Sequence, residues 1–322
     1  MTALRSENPI ALVALGGHAF MEHGQKGTID DHEDNAAKIA EAMMRLVERK
    51  YNLVITHGNG PQVGNLLLQN EMCKADVPDM PMDVLVAMTE GSLGYILQQA
   101  LLNQLRSRNM KRYVVTVVSQ VVVDPEDPAF KNPTKPIGPF LSEEEAKRRA
   151  KELGWDVVDD AGRGWRRRVA SPVPTKIIQR HSIRDAANQG HIVIAAGGGG
   201  IPIMKDRKTG EYKGVECVID KDLTSALLAH SVGAELFCIL TEVPQVFLNF
   251  GKPDQRPLGA LTLEMTQRFI NEGHFPPGSM GPKIRAIVNY LENGGKRSLV
   301  TDPKTLPDAL DGMGGTHFVG RI

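Results

Sequence analysis

The stretch that most limits what this chain can become is Ile192–Pro202, IVIAAGGGGIP, where an apolar, β-branched run stops on four consecutive glycines. A strand without polar alternation is covered on both faces, as in the interior of a parallel sheet. Glycines after it permit a sharp turn and a close backbone approach to a ligand, because no Cβ stands in the way. Amide N–H groups bared in such a turn point outward together and favour an anion, usually a phosphate. A lone glycine cluster is more often a flexible loop than a phosphate cradle, but two sister sites add weight to the ligand reading. Leu12–Gly17 reads LVALGG and Leu53–Gly60 reads LVITHGNG. Three such exits put anion-friendly turns at the carboxyl ends of parallel strands, where open α/β sheets bind ligands. No G-x-G-x-x-G opens the first helix and no G-x-x-x-x-G-K-[ST] occurs, so this is neither the dinucleotide fingerprint nor a P-loop.

The chain has 322 residues, enough for one large domain or two. Lys and Arg total 38 and so do Asp and Glu, a balance that gives no support to a nucleic-acid or membrane-surface partner. Cys73, Cys217 and Cys238 are far apart and lack C-x-x-C spacing, which argues against a disulfide framework or zinc site and fits a reducing compartment. No signal peptide and no 18-residue apolar window are found. A soluble cytoplasmic protein is expected.

Along the chain, apolar periodicity predicts helices over Asn35–Lys50, from Gly58 through Gln69, and over Met82–Leu105, the last broken by Gly91 and Gly94. Those two glycines suit close helix packing, either within the core or against a second subunit. Tyr113–Val123 reads as one valine-rich strand. Asp124–Gly138 holds four prolines and cannot be a regular core element. Ser142 with Glu145 is a capping box opening a helix over Ser142–Leu153, followed by short β-like pieces at Trp155–Asp159 and Gly164–Ala170. Residues 124–170 are therefore read as an inserted, protruding subdomain. The β/α rhythm resumes with a helix over Thr175–Gln189, the Ile192 strand, an exposed hairpin around Lys205–Lys213, a helix over Leu223–Val232 and a strand at Leu236–Thr241. A short strand at Val246–Phe250 and helices at Thr262–Asn271 and Ser279–Leu291 follow. Ser298–Thr301 and Thr316–Val319 are read as closing the sheet at an edge.

Phosphoryl transfer asks a protein mainly for positive charge, amide donors, a metal and in-line positioning. Three lysines stand in settings that suit it. Lys135 is flanked by prolines in NPTKPIG, Lys221 lies between Asp220 and Asp222, and Lys283 follows PGSMGP. Plainer readings stay open: a solvated loop lysine, an N-cap at Asp222 with surface charges, an ordinary helix-surface lysine. The Arg166–Arg168 run reads as a solvated strand face rather than a substrate clamp. His57 reads equally as a ligand-site residue or a hydrogen-bonded core histidine, and His18 directly follows a glycine pair.

The segments LVALGG, THGNGPQVG (56–64), DPAFKNPTKPIGPF (127–140), DAGRGWRRRVASP (160–172), GGGGIP (197–202), GVECVIDKD (214–222), LNFGKPDQ (248–255) and EGHFPPGSMGPK (272–283) carry a strong resemblance. In this order, and over nearly the whole length, the chain resembles the carbamate kinases of the amino-acid-kinase family. The resemblance implies a three-layer α/β/α sandwich with a mainly parallel sheet of about eight strands and a protruding inserted subdomain. It implies that residues 1–123 hold carbamate or the carbamoyl group, that 124–170 close over the site carrying Lys135, and that 171–322 hold the nucleotide. Gly16, Gly17, Gly58, Asn59 and Gly60 would surround the small substrate. Lys135, Lys221, Lys283, Asp222 and His18 would do the catalytic work, with Asp222 orienting the lysines. Gly198, Gly199, Asp220, Thr241, Val243, Phe247 and Met280 would form the nucleotide side. ATP or ADP and Mg²⁺ would be the cofactors, the metal bridging phosphates with no protein ligand assigned, and the assembly would be a homodimer.

One departure stands out: the family pattern G-G-N-A is Gly16-Gly17-His18-Ala19 here. An imidazole is larger than an amide and can carry charge near neutrality. It leaves three readings: carbamate chemistry retained, a different small carboxylate or carbamoyl substrate, or a nucleotide-binding protein without turnover.

Overall fold

The computed structural model of the chain describes residues 6–320 apart from 17, 18, 23, 161, 163, 277 and 278. Strand β1 (Ile10–Leu15) is buried along its length and leads to helix α1 (Ile29–Glu48). The helix begins ahead of the expected Asn35 because Thr28 caps it. The Asp31 amide donates to Thr28 Oγ1 at 3.2 Å, and the Asp31 carboxylate accepts from the Thr28 amide at 2.9 Å. This closed capping box, with Asp30 and Asp31 in the first turn, outweighs the polar composition of the segment. Strand β2 (Asn52–Thr56), α2 (Gly60–Met72) and α3 (Met82–Ser107) follow.

The valine run does not form one strand. It divides into β3 (Val114–Val117) and β4 (Gln120–Val123), which belong to different sheets. Ser119 at the junction donates its amide to Glu90 Oε2 at 2.8 Å, and its hydroxyl accepts from the Ala196 amide at 2.9 Å. Side chains intercept the groups a continuous ladder would need. Gly94 of α3 packs on β3, since a Cβ there would overlap the Thr116 side chain, whereas Gly91 faces open space.

Strand β5 (Lys135–Leu141), α4 (Glu143–Leu153), β6 (Val157–Asp159) and β7 (Trp165–Val169) come next, the strands forming a separate antiparallel sheet in the order β5-β7-β6. The box opening α4 is half made: Ser142 Oγ accepts from the Glu145 amide at 3.2 Å, but the Glu145 carboxylate turns to Arg148 and Arg149. The Arg166–Arg168 run is not a solvated face. Arg166 pairs with Asp160 at 3.0 Å and donates to the Gly138 carbonyl at 2.9 Å. Arg167 lies over the Trp155 ring, and Arg168 makes a bidentate pair with Asp156. Each guanidinium is a tie inside this sheet.

The helix expected from Thr175 starts later, because Pro172 and Pro174 hold the chain extended. Strand β8 (Pro174–Ile177) pairs with β4, and α5 spans Arg180–Asn188. Then come β9 (Ile192–Ala195), the glycine turn, and the expected hairpin of β10 (Ile201–Lys205) and β11 (Tyr212–Gly214). The remaining elements are α6 (Lys221–Val232), β12 (Leu236–Leu240), β13 (Phe247–Leu248), β14 (Arg256–Pro257), β15 (Ala260–Thr262), α7 (Leu263–Asn271), α8 (Met280–Glu292), β16 (Arg297–Thr301), α9 (Leu306–Leu310) and β17 (Thr316–Val319).

Among the described residues the central sheet has eight strands in the order β15-β17-β16-β12-β1-β2-β9-β3. All its neighbouring pairs are parallel except β16 with β17. The outermost strand on that side is β15, outside the two segments read as the edge. Alternate residues of β1 feed two cores: Leu12 and Ala14 pack with Ala226 of α6 and Ile284 of α8, while Ala11, Val13 and Leu15 pack with Met43 of α1, Leu97 of α3 and Ala309 of α9. Helices thus cover both faces, giving three layers, and each buried large aliphatic or aromatic side chain contributes roughly 1.5–3 kcal/mol. Among the described residues no helix is long and apolar enough to cross a membrane, and the three cysteines are unpaired. Because β1, β2, β9 and β12 run parallel, their carboxyl ends open along one edge of the sheet.

Candidate active site

The glycine turn is built around left-handed backbone. Ala196, Gly198, Gly199 and Gly200 have φ of +51°, +67°, +97° and +85°, a region in which side chains are strained. A Cβ on Gly197 would overlap His57, on Gly198 the Asn59 amide, on Gly199 the Ile219 carbonyl and on Gly200 Val121. The room freed by the missing side chains is thus taken by neighbouring loops, which brings the exit of β2 and the approach to α6 against the turn. Bonds secure the arrangement. The Gly198 amide donates to the His57 carbonyl at 2.7 Å, and Thr224 Oγ1 donates to the Gly199 carbonyl at 2.9 Å. Asn59 Nδ2 donates to Thr89 Oγ1 at 2.9 Å, and Thr56 and Ser225 hydroxyls meet at 2.6 Å.

At the mouth of this edge the three lysines converge. Asp220, rather than Asp222, is the N-cap of α6, its carboxylate accepting from the Asp222 amide at 2.9 Å. Lys221 Nζ pairs with Asp222 Oδ1 at 2.6 Å, and Lys283 Nζ, from the first turns of α8, reaches Asp222 Oδ2 at 3.4 Å. Lys135 Nζ, from the start of β5, pairs with Asp220 Oδ2 at 3.2 Å and also donates to the Ile219 carbonyl at 3.4 Å. Three ammonium groups thus face two carboxylates, leaving one surplus positive charge at a helix N-terminus. A partly dry pocket magnifies that surplus.

The protonation states suit such a cluster. Burial opposes ionisation of Asp222, yet the Lys221 and Lys283 ammonium groups win and hold its carboxyl at about 2. Burial also works against an ionised Asp220, but Lys135 leaves it below the ordinary carboxylate range. Burial lowers Lys221, with Asp222 opposing. Burial pushes His57 down to about 4, so its imidazole is neutral, with Nδ1 donating to the Gly58 carbonyl at 3.0 Å. It is a hydrogen-bonded buried histidine.

Of the other positions singled out in the sequence, Gly16 adjoins the exit of β12, where a Cβ on it would lie 3.2 Å from the Leu240 carbonyl. Gly58 and Asn59 lie at the β2 exit and Gly60 opens α2. Gly17 and His18 lie outside the described residues. Thr241 donates its amide to the Thr301 carbonyl, Phe247 stands ring to ring with Phe250, and Met280 begins α8. Among the described residues no hydrogen bond or ion pair joins Thr241, Val243, Phe247 or Met280 to the lysine cluster. Sequence reasoning missed Glu90, Thr89 and Ser119, which pack beneath the turn. Glu90 could have been found: it is an acidic side chain at the inward spacing of Val86, Leu93 and Leu97.

Comparisons with known proteins follow this geometry. Residues 9–302 match the profile described as the amino acid kinase family. The chain is 47% identical over 311 residues, 96% of this chain and 98% of the relative, to a protein named carbamate kinase from Thermococcus kodakarensis. It resembles the solved carbamate kinase from Giardia lamblia bound to citric acid, with a TM-score of 0.92, 38% identity, and 98% and 100% of the two chains covered. The same protein bound to AMP-PNP gives a TM-score of 0.90 at 39% identity, covering 98% and 100%.

Proposed function

The chain belongs to the amino acid kinase family, and from that membership we propose that it moves a phosphoryl group reversibly between ATP and carbamate. The observation that carries this reading is the meeting of Lys135, Lys221 and Lys283 over Asp220 and Asp222, beside three strand exits. The names of relatives at 47% identity favour carbamate over another small acceptor, and the AMP-PNP complex of the Giardia lamblia relative supports an adenine nucleotide.

In the forward direction a carbamate oxygen attacks the γ-phosphorus, the bond to the β–γ bridging oxygen breaks, and carbamoyl phosphate and ADP leave. The reverse step makes ATP. Negative charge spreads over the three equatorial oxygens of the migrating group, so catalysis is electrostatic and positional. Lys135 approaches from the inserted sheet, while Lys221 and Lys283 approach from α6 and α8. Asp222 holds the latter pair in register, and Asp220 caps α6 and receives Lys135. Gly16, Gly58, Asn59 and Gly60 sit on the carbamate side with residues 1–123. Gly198, Gly199, Asp220, Thr241, Val243, Phe247 and Met280 belong to the nucleotide side in 171–322, and 124–170 cover the site.

A Mg²⁺ ion fits here as a cation carried by the phosphates. Asp220 and Asp222 are already engaged by lysines, and among the described residues no group of three or more His, Cys, Asp or Glu side chains gathers to hold a metal. Bound there, it would supply further charge neutralisation on the nucleotide. Unpaired cysteines fit a cytoplasmic setting. The exposed face of α3, with Met88, Tyr95 and Leu102 seven residues apart, suits packing against a second copy. Light scattering giving twice the chain mass is the expected result, and the mass of one chain excludes the dimer.

The deciding assay supplies carbamoyl phosphate and Mg-ADP to the purified protein and follows ATP. Steady ATP formation is expected. Binding of ADP with no ATP from carbamoyl phosphate overturns the reading.

A further inference from the structure

We infer that Glu90 is a positioning residue of the phosphoryl site, holding the glycine turn after β9 in shape from beneath. The inference rests on the phosphoryl-transfer reading above and adds to it a residue that touches neither substrate. Glu90 lies in the first half of α3 and is 2% exposed. Its Oε2 accepts the Ser119 amide at 2.8 Å, Ser119 Oγ accepts the Ala196 amide at 2.9 Å, and Ala196 carries the first left-handed φ of the turn. A relay of two hydrogen bonds thus runs from α3 into the backbone that must point its amides at phosphate. The Gly197 amide also faces the carboxyl, and the place a Cβ on Gly197 would take is filled by the His57 ring with the Glu90 methylene beside it.

The carboxyl works in its neutral form. Its Oε1 is buried with no hydrogen-bond partner among the described residues. Burial pushes the group up to about 8, against the pull of the Ser119 and Gly197 amides. The packed elements bring it Ser119 from the β3–β4 junction, Gly197 from the β9 exit and neutral His57 from the β2 exit. The cation acting on that imidazole is Lys221. None of these brings a positive charge to the carboxyl, and two amide donors do not offset the cost of a bare charge in such a place. Since Oε2 receives an amide hydrogen, the proton sits on Oε1. Ionisation would put a second anion beneath amides meant for phosphate.

The test compares wild type with Glu90→Gln and Glu90→Ala in ATP formation from carbamoyl phosphate and ADP between pH 6 and 9.5. Loss of the relay in Glu90→Ala should lower kcat on the order of ten- to a hundredfold, as misplacement does, with little change in KM. Glu90→Gln, which keeps an acceptor for Ser119 but cannot ionise, should restore most of that loss at pH 7 and move the alkaline fall of kcat to higher pH. Coincident alkaline limbs in wild type and Glu90→Gln, or wild-type kcat in Glu90→Ala, overturn the inference. If the wild type forms no ATP, the phosphotransferase reading falls by itself. Thermal unfolding then still decides the question for Glu90. A raised folded-state value means that stability present below the unfolded value of about 4.3 is lost as pH rises towards 8. Wild type should therefore lose Tm relative to Glu90→Gln across that window and run parallel above it; parallel curves throughout overturn the inference.

Discussion

Asp220 and Asp222 stand two residues apart at the head of one helix, yet they keep different company. Asp222 and its partners Lys221 and Lys283 have side chains 5%, 11% and 15% exposed, and α6 and α8 carry them over a shared core. Asp220 and Lys135 are 25% and 26% exposed, and Lys135 arrives on a separate three-stranded sheet. One pole of the site is set when the core packs. The other depends on how the added sheet seats itself against α2. On the proposed reading both pairings serve phosphoryl transfer, the first fixed by the packing of the core and the second by the seating of the added sheet.

Four substitutions can break or sharpen that contrast. Asp222→Ala has the largest expected effect, because it strands two buried ammonium groups, a change that costs about 3–5 kcal/mol in comparable pairs. Urea unfolding reads it. With the Asp222 carboxyl held at about 2, its stabilisation is present above the unfolded value and lost as pH falls through about 2. The gap between wild type and variant should then be constant from pH 5 to 7 and narrow only in acid. Next is Lys135→Ala, which should lower kcat for ATP formation on the order of a hundredfold, while stability changes by less than about 1 kcal/mol because the pair is partly solvated. If Lys135→Ala unfolds as readily as Asp222→Ala, the two poles do not differ. A smaller effect than that of Asp222→Ala is expected for Gly64→Ala in α2, whose methyl would overlap the Gly138 backbone of β5. A loss of about 1–3 kcal/mol with a lower kcat is expected from such overpacking. Gly91→Ala, in the same kind of helical setting but facing open space, should gain up to about 1 kcal/mol. Equal thermal-unfolding midpoints for the two glycine variants would contradict the close seating of the sheet.

Much of this was legible before any coordinates. Apolar runs such as Leu12–Leu15 and Ile192–Ala195 declare buried parallel strands because nothing polar interrupts them, and the glycines after them mark turns no other residue makes cheaply. The lysines were singled out through the segments around them, while their convergence belongs to topology: Lys135 and Asp220 are 85 positions apart. What escaped was decided by partners distant in the chain. The valine run breaks at Ser119 because Glu90 and Ala196 claim its hydrogen bonds, and neither lies nearby in sequence. The start of α1 was missed for a local reason, since the Thr28–Asp31 box hides inside a polar stretch. The Arg166–Arg168 run was misread because charge on a strand says nothing about where its counter-charges lie.

The contact between Gly64 and Gly138 has a consequence for leverage. Gly138 lies three residues along β5 from Lys135, roughly 10 Å at the rise of a strand, so any wedge driven between helix and sheet there would swing the ammonium away from Asp220. How far one of the longest side chains in the molecule can stretch is decided by two positions that have no side chain at all.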